Sequence, residues 1–201
     1  MYYQEKSAET IEEDALCVFD FFVKELKVNE KDIIICGRSI GSGPSVYLAA
    51  NRDPGALLLI SPFKSIRETA SSMLGVLKYL VADRFKNIEI IEKVTCPLLI
   101  IHGQKDNLIP FSHSVELTER TSGPYELILP EEMDHNEFNL YEDFLEPITN
   151  FLKRHSLLTQ VGNKSIEIND IFFEIPDYMN DPDNLKKKDM MSKVIRKMLK
   201  I

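Results

Sequence analysis

The sequence predicts an α/β protein, a parallel sheet flanked by helices. Two observations carry this. Short apolar runs recur along the chain, at Ile33–Cys36, Ala56–Ile60 and Pro97–Ile101, with a fourth strand at Tyr125–Leu129, and segments that read as helices separate them. Strands alternating with helices imply right-handed crossovers and parallel strands. Continuous rather than alternating apolar runs suit strands covered on both faces. In such sheets ligands and chemistry gather beyond the carboxyl ends of the strands.

The elements follow in order. Thr10-Ile11-Glu12-Glu13 resembles a capping box that opens a helix. Apolar residues at Ile11, Ala15, Val18, Phe19, Phe22 and Leu26 then recur at helical spacing. Val28 to Lys31 is a polar break before the first strand. Gly37 to Gly43 is glycine-rich and tight, and Pro44 to Asn51 reads as a helix with Pro44 near its first turn. Ser61-Pro62 ends the second strand, and Ser65 to Leu80 is helical. Phe111 to Arg120 and Phe138 to Lys153 supply the later helices. Beyond His155 the pattern fades. Residues 156–201 read as an extension that ends in a stripe of Met190, Met191, Val194, Ile195, Met198 and Leu199 among lysines and arginines. The expected organisation is one α/β domain over 1–155 and an extension over 156–201 with a basic amphipathic helix.

Composition narrows the function. The 201 residues suffice for one domain with a sizeable core, and 44% of them are apolar. No run approaches the roughly 18–20 apolar residues of a membrane span, and Met1 to Lys6 lacks a signal-peptide layout. The expectation is a cytoplasmic protein. A net charge of −8 argues against nucleic acid as a partner, since phosphate contacts need a basic surface. The basic stripe at 185–201 suggests peripheral membrane contact or a partner groove, with docking back onto the domain or disorder as the alternatives. Cys17, Cys36 and Cys96 form neither a disulfide framework nor a zinc motif, and their apolar surroundings predict three buried thiols.

Chemistry concentrates in three places. Gly37-Arg38-Ser39-Ile40-Gly41 is G-x-S-x-G, and it stands directly between a buried strand and a helix. A nucleophile elbow needs that context: a strained strand-to-helix turn, with glycines beside the serine so that neighbouring backbone can approach. The N–H of Ile40 would be left to stabilise an oxyanion. The competing reading is an ordinary glycine-rich turn or a phosphate loop, which would want G-x-G-x-x-G or a lysine before the helix. A serine nucleophile needs a base, and the base an orienting acid. Asp106 lies just past the third strand and His135 just past the fourth, both at the edge where Ser39 sits. The candidate triad is therefore Ser39, Asp106 and His135. His102 reads as a structural hydrogen bonder, His113 as a surface or capping residue and His155 as part of a frayed end. Asp134 competes with Asp106, but adjacent residues in a tight loop seldom point at one another. Asp83 and Arg84, in the insertion between the second and third strands, read as a surface helix end with an ion pair, with a substrate lid or cap as the alternative.

These residues resemble the α/β-hydrolase superfamily, and within it the alpha/beta hydrolase domain-containing protein 17 family, whose relatives include protein depalmitoylases. The stretches that carry the likeness begin at Ile35-Cys36-Gly37-Arg38-Ser39, Leu58-Leu59-Ile60-Ser61-Pro62-Phe63, Asp83-Arg84-Phe85-Lys86-Asn87-Ile88 and Cys96-Pro97-Leu98-Leu99 through His113. The resemblance implies a serine hydrolase of acyl esters or thioesters, with an acylated small molecule or lipidated protein as its substrate and no metal or organic cofactor. It places Ser39, Asp106 and His135 on the family's nucleophile, acid and base. Two departures stand out. Glu132-Met133-Asp134 replaces the family's glycine-rich turn before the histidine, which would stiffen the loop and displace the base. The family's first strands, and the His-Gly loop that supplies a second oxyanion donor, have no counterpart here. The chain thus reads as a partial α/β-hydrolase fold lacking the N-terminal strands, with its first strand an apolar edge. A catalytically impaired binding module and a serine peptidase of the same superfamily are the alternative functions.

Overall fold

The computed structural model describes residues 7–157 of the chain, all within one compact unit, Met1–Thr159. The stripe at 190–199 and the suggested membrane contact at 185–201 lie outside the described residues. Among those described, no helix is long and apolar enough to cross a membrane.

Four parallel strands, β1 (Ile34–Arg38), β2 (Ala56–Ile60), β3 (Leu98–Ile101) and β4 (Tyr125–Ile128), lie side by side in sequence order. Their registers pair Cys36 with Leu58, Leu58 with Leu99 and Leu99 with Glu126. All four carboxyl ends therefore point to one edge. Helices α1 (Ala8–Lys24), α2 (Ser42–Asn51), α3 (Ile66–Leu74), α4 (Asn87–Ile90), α5 (Ser112–Arg120) and α6 (Glu146–Arg154) connect and cover the strands, α6 being entered through a π-helical turn at Leu140–Leu145.

Alternating side chains divide the core in two. Ile35, Leu57, Leu59, Leu98 and Ile100 face one way and pack with Phe19 of α1, Val46 of α2 and Leu117 of α5. Ala56, Leu58, Ile60, Leu99 and Ile101 face the other way, against Phe144 and Phe151. The second face stops short of β1. Ile34, Cys36 and Arg38 are exposed there, and the strand is buried on alternate residues only. The expectation that β1 is covered on both faces is thus corrected for the described residues: α6 and the turn before it cover β2 and β3, and no described element covers this face of β1. Among the described strands β1 is an outer one, as the sequence suggested.

Two further expectations change. The first helix begins three residues before the expected cap. Ser7 is its N-cap and Thr10 its N3 residue, the two hydroxyls closing a reciprocal box with each other's backbone N–H. Its apolar stripe is also only partly used. Phe19 is buried, whereas Ile11, Val18 and Phe22 stay exposed because α1 rests on the outer flank of the sheet. The cysteines differ for the same reason: Cys96 is buried, but Cys17 on α1 and Cys36 on β1 are exposed.

Candidate active site

The elbow follows from local packing. Ser39 has φ +51°, in the left-handed region that a non-glycine residue occupies at a cost of roughly 1–2 kcal/mol. It is held there because β1 and α2 meet closely. A Cβ on Gly37 would come within 2.4 Å of Ser45 Oγ and 2.7 Å of the Gly41 carbonyl. Gly41 is different: its φ is −65° and a Cβ there would meet nothing within 4 Å. One of the two motif glycines is therefore sterically required in this chain and the other is not. The buried Ser42 fastens the turn, its Oγ–H donating to the Ser39 carbonyl at 2.7 Å. Asn87 braces Ser42 from the β2–β3 connection, with Nδ2 donating to the Phe63 carbonyl at 2.9 Å.

The acid sits on the loop after β3. One oxygen of Asp106, Oδ1, accepts the N–H groups of Leu108 and Ile109 at 2.9 and 2.8 Å. The other, Oδ2, accepts Nδ1–H of His135 at 2.7 Å. Burial by itself would raise this carboxyl. The Ile109 and His135 hydrogen bonds and the nearby imidazoles outweigh it and hold the group below the ordinary carboxylate range. With Nδ1 donating, Nε2 of His135 is left as an acceptor, and Ser39 Oγ lies 3.1 Å from it. Asp106 and His135 are buried, and Ser39 is half-buried.

The structure thus brings Ser39, His135 and Asp106 into one hydrogen-bonded chain across three loops. Ile40, exposed in the middle of the short 3-10 turn Ser39–Gly41, follows the serine directly. Asp134 stays out of the chain, accepting instead from the backbone N–H of Asn136 and from Asn107 Nδ2. The replacement of a glycine turn by Glu132-Met133-Asp134 does not displace His135. The adaptation lies across the gap, at Gly103: a Cβ there would meet the Met133 carbonyl at 2.1 Å, and that carbonyl accepts Lys105 N–H at 3.1 Å.

His102 does more than make one structural bond. It is fully buried, with Nε2–H donating to the Ile109 carbonyl at 2.8 Å and Nδ1 accepting from Ser114 Oγ at 2.6 Å. The same Nε2 is 3.3 Å from Asp106 Oδ2. Burial keeps its imidazole below the usual range. The surface role expected for His113 is corrected: the residue is buried, because α5 turns it inward beneath Lys64. Desolvation and then the Lys64 charge push it down to about 4. An ion pair is formed at Asp83, but with Arg67 of α3 at 3.7 Å and not with its neighbour Arg84, and Asp83 is half-buried. Sequence reasoning missed Ser42 and Asn87, whose roles depend on chain neighbours 45 residues apart.

A parallel sheet with a strained serine turn at one strand end, and an acid and a histidine on the next strands' loops, defines the α/β-hydrolase fold, here in part. Solved structures agree on that fold. The acetyl xylan esterase from Paenibacillus sp. R4 superposes with a TM-score of 0.60 at 17% identity, over 73% of this chain and 52% of that one. The sugar hydrolase YeeB from Lactococcus lactis gives 0.61 at 17% identity, over 77% of this chain and 72% of that one. In sequence the chain is similar to alpha/beta hydrolase domain-containing protein 17B of Homo sapiens, 39% identical over 127 residues, which are 63% of this chain and 43% of that protein. It is also similar to alpha/beta hydrolase domain-containing protein aho-3 of Caenorhabditis elegans, 36% identical over 139 residues, 69% of this chain and 41% of that one. The resemblance drawn from the motifs therefore stands. The chain spans less than half the length of these curated relatives. No family model matches it.

Proposed function

We propose that the chain carries the active centre of a serine hydrolase that cleaves acyl esters or thioesters. The observation that carries this is the unbroken relay from Ser39 Oγ through His135 to Asp106, at 3.1 and 2.7 Å. Ser39 Oγ attacks the acyl carbonyl as Nε2 of His135 takes its proton. Asp106 holds the imidazole in the tautomer that can accept, and stabilises the cation that forms. The Ile40 N–H donates to the developing oxyanion. His135 then protonates the leaving alcohol or thiol, and water, activated by the same nitrogen, releases the acid from the acyl-enzyme.

The rim favours an apolar acyl group. Exposed large apolar residues flank each member of the relay in sequence: Ile40 beside Ser39, Leu108 after Asp106 and Phe138 after His135. Similarity to domain-containing proteins 17B and aho-3 supports a hydrolase, and we extend the reading to lipid-modified proteins and to action at a membrane surface. Turnover of p-nitrophenyl and thioester substrates of graded chain length tests it. Rates should rise from acetyl towards longer chains. Asp106→Asn should lower kcat by about 10⁴, since the wrong tautomer is then favoured. Hydrolysis that survives Asp106→Asn unchanged would remove the relay from the reaction.

A further inference from the structure

The strand that delivers Ser39 also delivers Arg38, the variable second residue of the G-x-S-x-G motif. Arg38 projects to the open face of β1, where it is exposed. Its guanidinium crosses to the loop that carries the histidine. Nη2 donates to the carbonyl of His135 itself and to Asn136 Oδ1 at 3.3 Å. The guanidinium carbon also stands 5.8 Å from the centre of the Phe138 ring, within cation–π range. Phe138 in turn packs at 4.7 Å on Phe144, which is part of the core. Three residues of one loop, His135, Asn136 and Phe138, are thus gathered by one side chain.

We propose that Arg38 is a positioning residue that ties the His135 loop to the Ser39 elbow. The inference rests on reading Ser39 and His135 as nucleophile and base. The loop's other moorings run elsewhere, to the acid loop: Met133 to Lys105 through the backbone, Glu132 to the Lys105 ammonium and Asp134 to Asn107. Those contacts fix His135 relative to Asp106, and Arg38 fixes it relative to Ser39. The 3.1 Å gap between Nε2 and Oγ is the distance that such a tie governs. Misplacement by about 1 Å is worth about 10²-fold in rate. Arginine suits the task because its planar fork can meet a carbonyl, an amide oxygen and a ring face together, whereas the lysine ammonium is a point charge on a flexible stem. The side chain is exposed, so its removal leaves the core packing untouched.

The test compares wild type, Arg38→Ala, Arg38→Lys and Ser39→Ala in two readouts, with thermal midpoints confirming that each is folded. The first is amide hydrogen exchange over residues 133–138, which needs no activity. The second is the rate of labelling by a fluorophosphonate, resolved into its maximal rate and its half-saturation. Arg38→Ala should exchange faster in that loop. It should lose about 10–100-fold in maximal labelling rate with half-saturation little changed, and millimolar guanidinium should restore part of that loss. Arg38→Lys should fall between the two. Unchanged exchange overturns the tie. So does labelling of Arg38→Ala at the wild-type rate while wild type is labelled and Ser39→Ala is not. If wild type labels no better than Ser39→Ala, the nucleophile reading fails and the positioning role falls with it.

Discussion

β1 and β3 look alike in sequence and end in unlike surroundings. Ile33-Ile34-Ile35-Cys36 and Leu98-Leu99-Ile100-Ile101 are both unbroken apolar runs, and each leads into a loop that carries part of the relay. All four residues of β3 are buried. In β1 only alternate residues are, and Ile34 and Cys36 face outward. An open apolar groove of about 470 Å³ runs along the same flank, lined by Ile11, Val18 and Phe22 of α1 and by Ile35 and Cys36. A strand's own residues set its fitness for burial, while its neighbours set how much burial it gets. The elbow is nevertheless fully formed on the less buried strand, because Gly37, Ser42 and Asn87 build it from the α2 side.

The comparison can be broken by truncating the two strands in parallel. Leu99→Ala, at a site with no exposure, should cost about 2–5 kcal/mol in urea denaturation. Ile34→Ala, on the open face, should cost under about 1 kcal/mol. Equal losses would mean that the open face of β1 is covered in solution.

Acid pH should sharpen it next, because two buried histidines, His102 and His113, lie on the β3–α5 side. His113 is held near 4 by burial and Lys64, with Glu116 and Glu68 opposing, whereas an unfolded histidine titrates at about 6.5. Below that value the unfolded chain binds a proton that the folded chain refuses. Stability should therefore fall as pH drops from about 6.5 towards 4, at up to about 1.4 kcal/mol per pH unit from this one group. His113→Gln should flatten that slope in thermal scans. Asp106 acts lower: its depressed carboxyl stabilises the fold above its unfolded value of about 3.9 and loses that contribution as pH falls through its folded value.

The smallest effect concerns thiols. Cys17 and Cys36 should alkylate in the native protein, Cys36 sluggishly because burial of its sulfur raises its titration. Cys96, pushed up to about 11 by burial, should react only after unfolding. Mass spectrometry of iodoacetamide-treated protein separates the two classes.

Much of this was legible in the sequence. All four strands fall where the sequence put them, and the two central ones, β2 and β3, are the fully buried strands that leave a continuous apolar run. Ser39, Asp106 and His135 could be nominated because strand ends and motif context placed them at one sheet edge. What escaped was decided between distant segments. The bareness of Ile34 and Cys36 depends on where α6 stops. The inward turn of His113 depends on Lys64. The requirement for Gly103 comes from the Met133 carbonyl, and Arg38 was only the variable letter of a motif until the His135 loop was seen against it.

The central claim is that Ser39 in this chain is an activated nucleophile, and fluorophosphonate labelling of purified protein measures that most directly. Stoichiometric labelling of wild type, abolished in Ser39→Ala and strongly slowed in an otherwise folded His135→Gln, is the expected result. A folded wild type that takes up no label, or one labelled equally well without Ser39, would contradict it.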